Sequence, residues 1–196
     1  MGLFDRLKNK GTGYSSGNNT PASNVLKTNE IEVKATEREL TPDEIEYNHF
    51  NAAMTEEDTN QRRKEIEAIT NQYWLSRLVR EGKYENDRIQ ALQQLNDQRI
   101  LLEIASESGN IPRIHSLAQD KLDDAHRLQF IKKSYIHDAD RSRAAAKISD
   151  LEILEEIMLY AVGRDVQLAA VRRLEVIAPE EAKKHEDFIN YLRRKF

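Results

Sequence analysis

The hydrophobic positions between residues 88 and 178 recur at a fixed interval. Small residues lead the pattern, and an aliphatic residue follows each of them four positions later. The pairs are Ala91 and Leu95, Ala118 and Leu122, Ala144 and Ile148, Ala170 and Leu174. Residues four apart share a helix face, and alanine lets a neighbouring helix approach closely. A spacing of 26–27 residues is typical of stacked repeat arrays.

A polar position follows each aliphatic one and separates two helices. It is occupied by Asn96, Asp123 and Ser149, and an aspartate comes next in each case. These residue types cap helix N-termini, and Ser149 with Glu152 fits the capping-box pattern. Beyond the cap, further aliphatic residues rebuild an apolar face: Leu101 and Ile104, Leu128 and Ile131, Leu154 and Ile157. Each period is therefore predicted to be a short helix, a tight turn and a second short helix. The fold class is all-α, an α-solenoid of stacked short helical hairpins.

The segment RSRAAAKISDLEILEEIMLYAVGRDVQLAAVRRL, residues 141–174, resembles the short bacterial HEAT-like repeat. That repeat reads roughly Asp, Val, Arg, two small residues, then Val-x-x-Leu. The variant leucine-rich repeat is similar in length and is a second candidate. The resemblance covers residues 88–178, about half of the chain. Repeats of this kind occur in scaffolds, adaptors and helpers of modifying enzymes, so the resemblance implies a fold more than a role.

Two shorter sections precede the repeats. Residues 1–29 are predicted to be a flexible tail, because residues 9–29 are too polar to offset the entropy of ordering them. Residues 1–8 carry Leu3, Phe4 and Leu7 at helical spacing. This short amphipathic segment is either a frayed terminus or an anchor for a partner groove or a membrane surface, which would give a weak peripheral membrane contact.

Residues 30–87 are predicted to form an acidic helical section, and residues 30–58 carry ten acidic and two basic side chains. A helix should begin at the sequence TPDE, residues 41–44, and run to about Met54, because threonine caps and proline suits the first helical position. A second helix is expected from near Asn60 to Glu81. Its Trp74 should pack this helix onto the rest of the domain rather than serve as an exposed anchor.

The section 88–196 holds the repeats and ends in a capping helix, predicted from about Pro179 to Arg194. The fourth unit departs from the pattern, since Glu175 takes the cap position and Pro179 follows. Atypical terminal units are expected because a stack must close with a polar outer face.

Composition narrows the classes of protein further. The 196 residues contain no cysteine, which excludes disulfides and thiolate metal sites and fits a reducing, cytoplasmic compartment. No apolar run approaches the ~18–20 residues of a membrane span. The net charge of -4 gives no general attraction to nucleic acid. Phosphate-binding, dinucleotide, zinc-protease and serine-hydrolase motifs do not occur in the sequence. We therefore expect no catalytic residues, no cofactor, no metal and no small-molecule substrate.

One basic feature recurs with the repeat. Lys121, Lys147 and Arg173 occupy equivalent positions, and helices in a stack lie ~8–10 Å apart, so they are expected to form a basic stripe. Arg172 adjoins the stripe, and Arg143 is more loosely placed. Ordinary solubility charge is the plain interpretation, since residues 88–196 carry 18 basic and 18 acidic side chains.

Two functions remain open. The leading hypothesis is a non-enzymatic scaffold or adaptor that binds a protein partner. The alternative is a protein that binds the phosphate backbone of nucleic acid through the stripe. A third and weaker idea is that the acidic residues 30–58 cover the stripe in the free protein.

Overall fold

The computed structural model describes residues 38–107 and 111–194, and the regular secondary structure in these ranges is entirely α-helical. The described residues from Glu39 onward form one compact unit. The helices are α1 (Pro42–Thr55), α2 (Thr59–Ala68), α3 (Gln72–Glu81), α4 (Glu85–Gln94), α5 (Gln98–Ser106), α6 (Pro112–Lys121), α7 (Asp124–Lys132), α8 (Asp138–Ala145), α9 (Leu151–Tyr160), α10 (Arg164–Ile177), α11 (Pro179–Lys184) and α12 (Glu186–Arg194). The predictions for residues 1–29, including the amphipathic segment 1–8, lie outside the described residues.

Consecutive helices pack side by side as hairpins, which confirms the predicted stack of short helical hairpins. The pairs are α1 with α2, α3 with α4, α5 with α6, α7 with α8, and α9 with α10. Odd-numbered helices also pack on odd-numbered ones, as α7 does on α5 and α9, and even-numbered helices pack on even-numbered ones, as α4 does on α2 and α6. The stack therefore has two layers. Helices α11 and α12 both pack on α10 at the C-terminal end.

The core consists of the recurring positions. All four alanines of the column and all four aliphatic residues that follow them are buried, with exposed fractions between 0 and 3%. Ile104, Ile131 and Ile157 are buried as well. The register of the repeat is thus confirmed.

The packed hairpins are offset by one helix from the repeats seen in the sequence. The cap columns lie in the short link between successive hairpins, such as Leu95–Asp97 between α4 and α5, whereas the hairpin itself is α3 with α4. The two links around α4 do not differ in length, since residues 82–84 and residues 95–97 each form a link of three residues.

Two of the three predicted caps lie one residue further along. The caps are Asp97, Asp123 and Asp150, whose carboxylates accept hydrogen bonds from backbone N–H groups of the first helical turn. The Ser149 capping box was wrong, because the Asp150 carboxylate accepts from the Ile153 N–H. At α1 the expected capping box is present, with Pro42 in the first turn.

The helix predicted from Asn60 to Glu81 is two helices. Ile69 ends α2 and is buried, and the Asn71 side chain caps α3 by accepting from the Tyr73 N–H. Ile69, Asn71, Leu75 and Leu78 lie 26 residues before Leu95, Asp97, Leu101 and Ile104. The repeat pattern therefore extends upstream of residue 88. Similarly, the C-terminal helix predicted from Pro179 to Arg194 is broken at His185 into α11 and α12.

A second column of residues bonds the short links between successive hairpins to the preceding repeat. The sequence analysis did not identify this column. Glu46, Gln72, Gln98 and Asp124 are spaced by 26 residues. The Gln72 side-chain oxygen accepts from the Asn96 N–H at 2.6 Å, and the Asp124 carboxylate accepts from the Ser149 N–H at 2.7 Å. These bonds satisfy N–H groups that the tight turn leaves without backbone partners.

Two arginines are buried between repeats. The Arg62 Nε donates to the Asp87 carboxylate at 2.6 Å, joining α2 to α4. Arg141 donates to the Ile131 and Val162 carbonyls and pairs with Asp138. As expected, Trp74 packs within the domain, where its ring stacks on Phe50 of α1 with centroids 4.9 Å apart.

Candidate interaction surface

The basic column reaches back to the preceding even-numbered helix instead of pointing into solvent. The Lys121 Nζ donates to the Leu92 and Gln93 carbonyls at the end of α4, at 3.1 and 2.6 Å. Burial lowers the pKa of Lys121. Gln94, the neutral member of the column, makes the equivalent bond to the Ile66 carbonyl at 3.0 Å. Both side chains thus bond carbonyls at the C-terminal end of a preceding helix, and the Ile66 and Leu92 carbonyls also accept from the backbone N–H groups of Ile69 and Leu95.

The other two members of the stripe are also engaged. Lys147 forms an ion pair with Asp120 of the preceding repeat. The Arg173 Nε donates to the Ile148 carbonyl at 2.9 Å, and its side chain is half-buried. Lys121, Lys147 and Arg173 thus share an inter-repeat role that a neutral glutamine also fills in the first unit.

A surface groove between α8 and α10 brings together three of the predicted residues. Arg143 of α8 faces Arg172 and Arg173 of α10. The groove has a volume of about 480 Å³ and is open to solvent. Lys121 and Lys147 are not among its lining residues. The other lining residues are Ala139, Ser142, Ala146, Ala169 and Val176.

The charge of the groove is of one sign, because the residues that line it include three arginines and no carboxylate. Arg143 is half-exposed and pairs with Asp140 at 3.1 Å. Arg172 is exposed, and within the described ranges its guanidinium has no hydrogen-bond or ion-pair partner. Arg173 donates from its Nε to the Ile148 carbonyl and also lines the groove.

The floor of the groove is small and apolar. Three alanines keep it shallow, and Val176 at one end is 74% exposed. The Ser142 hydroxyl is buried and has no hydrogen-bond partner in the part of the chain that the structure describes. The sequence analysis did not single out Val176 or the three alanines, although Ala139 and Ala146 are seven residues apart, as are Ala169 and Val176.

Two other properties bear on the kind of site. Within residues 38–107 and 111–194, no three His, Asp or Glu side chains gather in a way that could hold a metal ion. His126 pairs with Asp123 at 2.7 Å, and Asp123 caps α7. None of the described helices is long and apolar enough to cross a membrane.

Comparison of the chain with protein-family models, with curated proteins and with solved structures gives no significant match. The class of protein that fold and surface define is an all-α stack of helical hairpins with an arginine-lined groove near its C-terminal end.

Proposed function

We propose that this protein is a non-enzymatic helical-repeat scaffold or adaptor that binds a protein partner. The observation that carries the proposal is the groove between α8 and α10, where arginines stand over an apolar floor. Arginine is enriched at protein–protein interfaces, and the centres of such interfaces are apolar. The resemblance to HEAT-like repeats supports the same function and stays a proposal. The lack of cysteine supports a cytoplasmic location.

Binding of a nucleic-acid phosphate backbone is the second candidate, since arginine forks also suit phosphate. It has less support. A phosphate ridge needs a continuous row of free cations, and Lys121 and Lys147 are already bonded to the preceding repeat. The groove also lacks the aromatic side chains on which single-stranded bases stack.

The two candidates differ in salt dependence. We expect wild-type protein to show no complex with duplex DNA or RNA whose affinity falls steeply between 50 and 200 mM salt. A micromolar, steeply salt-dependent complex would favour the second candidate and overturn the first.

The partner itself is identified by cross-linking in cells, with the Arg172→Glu and Arg99→Glu variants compared with wild type. Arg99 is an exposed arginine on α5, outside the groove, so its reversal controls for net charge. A scaffold should give a reproducible protein partner whose cross-links map to the repeats. If all three proteins yield only the background of an unrelated control protein, the scaffold proposal fails.

A further inference from the structure

The groove between α8 and α10 has a chemistry that selects its occupant. Its charged lining groups are all guanidiniums, and Arg172 forms no ion pair within the described residues. Such a surface repels basic segments and attracts acidic ones, and the attraction is strongest where the arginine is not already paired.

Resting on the scaffold function proposed above, we propose that this groove binds an extended acidic segment of the protein partner, with an aliphatic side chain against Val176. Carboxylates of the segment would accept hydrogen bonds from the Arg143 guanidinium on one wall and from Arg172 and Arg173 on the other.

The two walls set the spacing of the acidic residues. Neighbouring helices lie ~8–10 Å apart, and an extended chain advances ~3.3 Å per residue. Acidic residues two or three positions apart therefore reach both walls. Each carboxylate can accept two parallel N–H bonds from one guanidinium, which favours arginine over lysine at these positions.

The floor explains why the segment should be extended and partly apolar. The alanine side chains of Ala139, Ala146 and Ala169 let a backbone lie close to both helices. Val176 exposes 74% of its surface at the end of the groove. An aliphatic side chain placed there buries apolar surface from both partners, which adds affinity that charge alone does not supply.

A second depression beside the groove is less suited to an acidic segment. It has a volume of about 430 Å³ and shares Arg143 with the groove, but its lining also includes Glu107 and Asp140. Its charge is mixed, and carboxylates of a partner would meet carboxylates of this protein. We therefore assign the acidic segment to the α8–α10 side of Arg143.

The test uses the full-length protein and two fluorescent peptides. The first peptide alternates glutamate and glycine around a single leucine, and the second has glutamine in place of each glutamate. Anisotropy titrations should show binding of the glutamate peptide at least tenfold tighter than the glutamine peptide. Arg172→Glu should weaken the glutamate peptide about tenfold, and Arg99→Glu should leave it within about twofold. Because Arg172 bonds no described residue, its variant should keep the wild-type circular dichroism and melting temperature.

The inference fails if wild type does not prefer the glutamate peptide, or if Arg99→Glu weakens binding as much as Arg172→Glu. It also fails if a phosphoserine peptide or a DNA duplex binds more tightly than the glutamate peptide and depends on Arg172. A cross-linked partner that binds Arg172→Glu normally would refute the groove and leave the scaffold function intact. Binding of the glutamate peptide without any cellular partner would refute the scaffold function and leave the groove's preference for acidic segments intact.

Discussion

Removing the carboxylate of Asp87 should destabilise the protein more than almost any other single change at an ion pair. The Arg62 and Asp87 side chains are only 5% and 9% exposed, and their atoms approach to 2.6 Å. Loss of one partner leaves a buried charge without its counter-ion, which typically costs ~3–5 kcal/mol. The perturbation is Asp87→Ala.

The remaining contacts of Arg62 place the expected loss of stability near the lower end of that range. Its guanidinium also donates to the Glu57 carbonyl at 2.7 Å and to the Glu56 carbonyl at 3.2 Å. Its carbon Cζ lies 4.0 Å from the centre of the Tyr84 ring. These contacts persist in the variant and keep part of the charge satisfied, so we expect a loss of about 3 kcal/mol. That is a large share of the roughly 5–15 kcal/mol by which domains are stable.

Urea unfolding followed by circular dichroism measures the loss. The matched control is Glu81→Ala, which breaks the exposed pair with Arg77 and should cost less than about 1 kcal/mol. In a stack the loss should fall mainly on the interface between α2 and α4, so their amides should gain the most hydrogen exchange.

A double variant separates burial of charge from packing. Arg62→Met with Asp87→Leu removes both charges and keeps apolar volume, so it should be more stable than Asp87→Ala alone. The reasoning is refuted if Asp87→Ala costs no more than Glu81→Ala, or if the double variant is the less stable of the two.

Three other perturbations test the repeat geometry. Ala144→Leu should cost about 1–3 kcal/mol by overpacking a residue that is 3% exposed, whereas Ala125→Leu on an exposed face should stay within ~0.5 kcal/mol; equal urea midpoints would contradict the register. Gly163→Ala should cost about 1–3 kcal/mol, because φ is 102° and the new Cβ would lie 2.7 Å from the Asp138 carboxylate; an unchanged melting temperature would show that this corner relaxes freely. Partial burial raises the pKa of Glu46, but hydrogen bonds from the side chain and backbone of the next link outweigh it and hold that pKa below its ordinary value. Its stabilisation is therefore present above the ordinary pKa of a glutamate and is lost as the pH falls through the lowered one. Wild type and Glu46→Gln should accordingly converge in stability at acid pH, and a constant difference between them would refute this assignment.

The sequence alone predicted the elements that depend on local spacing. The alanine and aliphatic columns predicted the helices, the period and the buried positions, because residues four apart share a face whatever the helix packs against. The aspartates marked the turns to within one residue, since either of two adjacent polar residues can cap a helix and only the backbone path of the link decides between them.

Tertiary structure decided everything that depends on contacts between repeats. Lys121 was predicted to lie on an exposed stripe, and whether its Nζ meets water or a carbonyl depends on where α4 ends, 27 residues earlier. The column that contains Gln72 and Asp124 also depends on contacts between repeats. Its 26-residue spacing is visible in the sequence, but its hydrogen bonds form only when the helices stack. The arginine groove forms because α8 and α10 lie side by side in one layer, and this brings together Arg143 and Arg172, which local helix geometry leaves unrelated.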